Sequence, residues 1–91
     1  IYKDKPVVVE FYTTACSHCK KLAGALNKLS EEKGDDVFFG KCNIDQEALL
    51  QSRFDISAVP TLLFIKNGEI KNRLVGEVHP LIIQEEIKKL A

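Results

Sequence analysis

The sequence predicts an α/β fold of element order βαβαββα, with a four-stranded mixed sheet ordered 2-1-3-4 and helices on both faces. Three observations lead there. Residues 6–12 (PVVVEFY) form an apolar run without polar alternation, which reads as a strand buried on both faces. Helical and strand patterns alternate after it, which implies right-handed crossovers between parallel strands. Asn67-Gly68 between two apolar runs is a strong hairpin signal, so the closing pair is antiparallel and the sheet is mixed.

Each element has its own justification. The first strand is central because its apolar character is unbroken. Residues 17–33 read as a helix: Leu22, Leu26 and Leu29 recur at helical spacing, with Ala23 and Ala25 beside them and lysines and glutamates on the outer face. Gly34 ends it. Residues 37–44 (VFFGKCNI) are the second strand, an edge strand if nothing precedes Ile1. Asp45 is placed to cap a short helix over 46–54. Residues 61–65 (TLLFI) are the third strand, 66–69 (KNGE) the turn and 70–76 (IKNRLVG) the fourth strand. Pro80 stands near the start of a last helix, with Leu81, Ile82, Ile87 and Leu90 as its apolar residues.

Ninety-one residues without repeat, low-complexity segment or linker predict one domain, 1–91. A chain this short buries about 60–65% of the surface its unfolded form exposes. Its 45% hydrophobic content is enough for one core. Thirteen basic and thirteen acidic side chains cancel, which removes any global electrostatic case for nucleic acid or an anionic membrane. No apolar run approaches the ~20 residues of a membrane-spanning helix. A monomer is expected. The chain begins at Ile1 without methionine, so a trimmed or processed origin is expected, and missing targeting signals carry little weight.

Cys16 and Cys19 carry the chemistry. Three cysteines are too few for a disulfide-built scaffold, and the number is odd. Cys42 lies in an apolar strand, on the face opposite Lys41, and is expected to be a buried core thiol out of reach of Cys16. A structural zinc site needs four ligands, usually two pairs, and here one CxxC stands with only Cys42, His18 and His79 scattered around it. A purely structural disulfide spanning three residues constrains very little chain. The remaining chemistry is dithiol exchange. Cys16 falls where the first strand ends and the helix begins, the end at which open α/β sheets place their chemistry. Unpaired N–H groups and the partial positive charge of a helix N-terminus favour a thiolate there. Cys19, one turn on, is expected to be more buried and placed to attack a mixed disulfide.

With these motifs in place, the chain resembles the thioredoxin family over essentially its whole length. Residues 7–20 (VVVEFYTTACSHCK) look like the family's active-site strand and helix start, and 41–45 (KCNID) like its next strand. Residues 58–69 (AVPTLLFIKNGE) look like its cis-proline segment and hairpin, and 74–78 (LVGEV) like the strand end flanking the site. The family's leading strand and helix are not matched. Typical thioredoxins read CGPC, and protein disulfide isomerase domains read CGHC after VEFY. This chain reads CSHC after VEFY, with Ala15 where a tryptophan usually stands and Gly24 where a proline often kinks the helix.

The resemblance implies a thioredoxin fold and a redox-active Cys16–Cys19 centre that needs no bound cofactor. It implies that Pro60 is cis beside the cysteines, where the residues alone leave an ordinary turn proline equally open. Val59 would then offer its backbone to an extended substrate. Tyr12, His18, Ala58, Val59, Pro60 and Gly76 form the implied substrate surface. Glu10 is an acid inside an apolar strand, and Lys41 occupies the position where relatives often carry a lysine near it. Proton transfer with Cys19 and a structural ion pair are the two readings of that couple. His18 is either a solvated helix residue or a cation favouring the Cys16 thiolate, which would make the disulfide more oxidising.

The function expected is a thiol–disulfide oxidoreductase that reduces or exchanges protein disulfides, drawing electrons from a reductase or a thiol pool. Reduction is the expected direction and the cytoplasm the expected compartment; the alternative is oxidation or isomerisation in an oxidising, extracytoplasmic one. A reading from a different class is a thioredoxin-fold binding module with a regulatory or incidental CxxC.

Overall fold

The computed structural model describes residues 5–90; Ile1, where the chain starts, lies outside them. The elements run β1 (Val7–Tyr12), α1 (Ser17–Lys33), β2 (Phe38–Asn43), α2 (Ala48–Arg53), β3 (Thr61–Lys66), β4 (Glu69–Val75) and α3 (Pro80–Leu90). The sheet order is β2-β1-β3-β4. Strand alternation splits β1 between two cores. Val8 joins Leu62 and Phe64 of β3 under α1 and α3, where Leu22, Leu26, Leu29, Ile83, Ile87 and Leu90 converge. On the other face Phe11 meets Cys42, Ile56 and Leu63, with Leu50 and Phe54 of the α2 region packed against them.

One expectation about direction is corrected. The sheet becomes mixed at β3, not at the closing hairpin: β1 pairs with β2 in parallel, but with β3 antiparallel, Phe11 opposite Thr61. A six-residue helix advances the chain only about 9 Å. A six-residue strand spans about 20 Å. The α2 connection does not carry the chain back to the far end of the sheet. It leaves β2 and enters β3 at the same end, where β1 delivers Cys16.

Other differences are local. Gly34 ends α1 in a right-handed conformation (φ −61°), not a left-handed one. A β-carbon there would lie 2.5 Å from the Ser30 carbonyl oxygen, so the glycine is needed for close approach. Helix α2 begins at Ala48 rather than at 46, and Asp45 does not cap it, because its carboxylate is engaged elsewhere. Arg73 of β4 donates instead to the carbonyls of Phe54 (2.7 Å) and Asp55 (3.1 Å) at the far end of that helix. In α3 the buried stripe is Ile83, Ile87 and Leu90, while Leu81 and Ile82 are exposed. A 3.6-residue period aligns 83, 87 and 90 and turns 81 and 82 outward. His79 caps α3, its Nδ1 accepting from Leu81 N–H at 3.1 Å. The hairpin forms as expected, with Asn67 and Gly68 both at positive φ, as a two-residue turn of this kind requires.

Candidate active site

Cys16 is the N-cap residue of α1, with an extended backbone (φ −91°, ψ 109°). Its Sγ accepts a hydrogen bond from Cys19 N–H at 3.1 Å and is joined to Cys19 in a disulfide, with Cα atoms 5.2 Å apart. Cys19 is buried because it heads the apolar stripe that continues through Leu22, Leu26 and Leu29. The first turn of α1 contains no acidic residue, so nothing on the helix itself opposes a thiolate at its start.

The loop delivering Cys16 is clamped by residues of the β2 end. Asp45 Oδ2 accepts from Thr14 N–H at 3.0 Å, Asn43 Nδ2 donates to Thr14 Oγ1 at 3.0 Å, and Asp45 N–H is held by Asn43 Oδ1 at 2.9 Å. Sequence reasoning missed this clamp. The visible signal was a polar N-x-D at the end of an apolar strand, and capping is its commoner meaning.

Glu10 and Lys41 are cross-strand partners on the α1 face of the sheet. Glu10 is 1% exposed, and its Oε2 has no protein hydrogen-bond partner among the described residues. Burial pushes its carboxyl up from 4.5 to about 7, against the charge of the exposed Lys41, which lowers it. A pocket of about 160 Å³ is lined by Glu10, Tyr12, Thr13, Thr14, Cys19, Lys20, Ala23 and Lys41. Cys19, Glu10 and Lys41 thus share one cavity, roomy enough for water. Tyr12 lines this cavity because alternation puts residues 8, 10 and 12 on one face.

The Val59-Pro60 bond is cis, and Pro60 is buried at the start of β3. Ala58 is exposed and Val59 half-buried, leaning on the α2-side core. Thr61 Oγ1 donates to the Ala58 carbonyl at 2.6 Å, and Gly76 N–H donates to the Pro60 carbonyl at 2.8 Å. Gly76 has φ +95°, a conformation that favours glycine. The 58–60 segment and Gly76 are therefore tied together at the sheet end that carries Cys16.

His18 is exposed, and its Nδ1 meets Glu77 Oε1 at 2.6 Å. The hydrogen bond to His18 holds the Glu77 carboxyl below the usual carboxylate range, helped by the charges of Lys21 and His18. Glu77 did not stand out in the sequence: it is one of thirteen acids, 59 residues from its partner.

Cys42 is buried among Phe11, Ile56 and Leu63, on the opposite face from the Cys16–Cys19 pair. Burial pushes its thiol up, and Glu47 adds to that. In native protein with the Cys16–Cys19 pair reduced, Cys42 is expected to alkylate roughly a hundredfold more slowly than Cys16. Peptide-resolved labelling checks this, and comparable rates would show that the α2-side core opens readily.

Such a centre can exchange a dithiol for a disulfide. The thioredoxin family model matches residues 1–89. Thioredoxin-1 of Saccharomyces cerevisiae is 38% identical over 87 residues, covering 96% of this chain and 82% of its own. The chain spans about half the length of the chloroplastic M-type thioredoxins of Pisum sativum and Spinacia oleracea, at 52% and 48%, with 30% and 32% identity. Among solved structures, Fasciola hepatica thioredoxin superposes with a TM-score of 0.91 at 28% identity, covering 99% of this chain and 85% of that one. A structure from work on thiol resolution in yeast mitochondrial 1-Cys peroxiredoxin via glutathione/thioredoxin systems superposes at 0.88, with 28% identity and coverage of 98% and 82%. With this site geometry and these likenesses together, the chain belongs to the thioredoxin family.

Proposed function

We propose that the protein is a thiol–disulfide oxidoreductase that reduces protein disulfides through Cys16 and Cys19. The observation that carries this is the pairing of an N-cap cysteine with a buried one a turn later, beside a buried carboxylate in a shared cavity. The Cys16 thiolate attacks one sulfur of a substrate disulfide, forming a mixed disulfide and releasing one substrate thiolate. Glu10 takes the proton of Cys19, whose thiolate attacks Cys16 Sγ. The second substrate sulfur leaves as a thiolate and is protonated, and the Cys16–Cys19 disulfide closes. An extended substrate docks by strand-like hydrogen bonds to Val59, beside Ala58, Pro60 and Gly76.

Electrons return from a reductase or a thiol pool. A thiol peroxidase is a reasonable downstream partner, given the peroxiredoxin context of one structural relative. A monomer working in the cytoplasm is the setting proposed. Among the described residues no helix is long and apolar enough to cross a membrane.

The test is catalysed reduction of insulin by dithiothreitol. Marked acceleration is expected at micromolar protein. A rate equal to dithiothreitol alone, from protein whose Cys16–Cys19 pair still cycles, would transfer the chain to the binding-module reading. Direction follows from the midpoint potential: a value near about −270 mV supports reduction, and one near about −180 mV supports isomerase-like work.

A further inference from the structure

His18 lies between the two cysteines in the sequence. The structure shows its ring engaged, with Nδ1 on Glu77 Oε1 at 2.6 Å. The contact joins the first turn of α1 to the loop that follows β4, and that loop is not free to drift. Glu77 directly follows Gly76, whose N–H is held by the Pro60 carbonyl at 2.8 Å. The hydrogen bond received by Cys16 Sγ comes from Cys19 N–H. The first turn of α1 carries no acid of its own, so the fold imports one from another element. Lys21, one turn along the same helix, also attracts Glu77.

We propose that Glu77 is a redox-tuning residue: by holding the His18 imidazole, it keeps that ring off the Cys16 sulfur and makes the Cys16–Cys19 couple more reducing than a CSHC sequence otherwise would be. An imidazolium beside a thiolate stabilises the reduced form and makes the disulfide more oxidising. A carboxylate on the ring opposes this in two ways. It holds one ring nitrogen at Glu77, and its negative charge offsets the ring's positive charge at Cys16. Glu77 is therefore a positioning residue, acting through His18 and touching neither substrate nor the reacting sulfurs. The proposal rests on the dithiol reading of Cys16 and Cys19.

The test is a double-mutant cycle read as a redox equilibrium. Wild type, Glu77→Ala, His18→Ala and the double variant are equilibrated with glutathione buffers. The dithiol fraction is then read by alkylation and intact mass. Glu77→Ala is expected to move the equilibrium constant about two- to fivefold toward the disulfide acting as oxidant, roughly 10–20 mV for this two-electron couple. The thiolate absorbance of Cys16 should titrate at lower pH in the same variant. In the His18→Ala background the same substitution should retain only a small part of the shift. An equal shift in both backgrounds would mean that Glu77 acts through its own charge, and no shift would mean that the contact is decorative; either overturns the proposal. If the wild-type pair does not equilibrate with glutathione at all, the oxidoreductase reading itself falls, and the tuning role with it. Because Glu77 is at the surface, loss of folding is not expected, and circular dichroism of each variant checks that.

Discussion

Cys16→Ser is expected to abolish disulfide exchange, while Cys19→Ser stops it halfway with substrate covalently attached. The asymmetry follows from position on α1. Cys16 is at the N-cap, where helix N–H groups and partial positive charge favour a thiolate, and it is the more exposed of the two. A serine hydroxyl there does not ionise near neutral pH and cannot attack sulfur. Exchange should fall to the uncatalysed rate, and no adduct should form. Cys19 is 2% exposed and points into the protein, so a substrate disulfide cannot reach it first. Its replacement leaves the first attack intact and removes the resolving thiol. Incubation of Cys19→Ser with a peptide disulfide should convert most of the protein to a species heavier by the mass of one peptide thiol. Intact mass spectrometry reads both outcomes. Equal loss of turnover in the two variants, with no adduct from Cys19→Ser, would refute the division of labour.

Legibility in the sequence divided along physical lines. Most roles that depend on local periodicity could be read, although in α3 the stripe runs through Ile83 and not through Leu81 and Ile82. The 22-26-29 leucine stripe placed α1, and Cys19 heads that stripe, so its burial followed as well. The alternation of Lys41 and Cys42 on β2 separates the third cysteine from the Cys16–Cys19 pair. The unbroken apolar run of β1 placed it at the centre of the sheet. Roles that depend on where a loop arrives were not legible. The direction of β3 depended on the end at which the 44–60 connection arrives, and the start of α2 was read two residues early. Asp45 had a local use as a cap and a long-range use on Thr14 N–H, and the tertiary contact won. The His18–Glu77 contact exists only because β4 returns its end to the start of α1, a fact that neither residue's neighbours encode. Glu10 lay between these cases. Its burial could be read from the strand, but the cavity it shares with Cys19 could not.

Glu10→Gln is expected to slow resolution of the mixed disulfide by about a hundredfold, the lower end of what general acid–base catalysis supplies. The initial attack by Cys16 should change far less. The buried carboxyl titrates near 7, so near neutral pH it can both accept and return a proton, and it shares a cavity with Cys19. The glutamine amide has a similar shape and accepts no proton. In wild type the resolution rate should therefore rise through an inflection near pH 7, as the carboxylate forms; the variant should lack that inflection. Lys41→Ala should move the inflection to higher pH, because Lys41 is the charge that lowers the Glu10 carboxyl against desolvation. Stability should move the other way from activity. A raised folded-state pKa means that the native protein binds more protons than the unfolded chain between about pH 4.5 and 7. Wild-type stability from this group is fully present below pH 4.5 and is lost as pH rises through 7. Glu10→Gln has no such loss, so its advantage in urea unfolding should be small at pH 4.5 and reach a plateau above pH 7. Single-turnover stopped-flow kinetics and unfolding across pH 4.5 to 8 measure both halves. If the variant resolves mixed disulfides at the wild-type rate between pH 6 and 8, while the stability difference still grows with pH, then Glu10 is a buried structural acid and the proton of Cys19 leaves by another route.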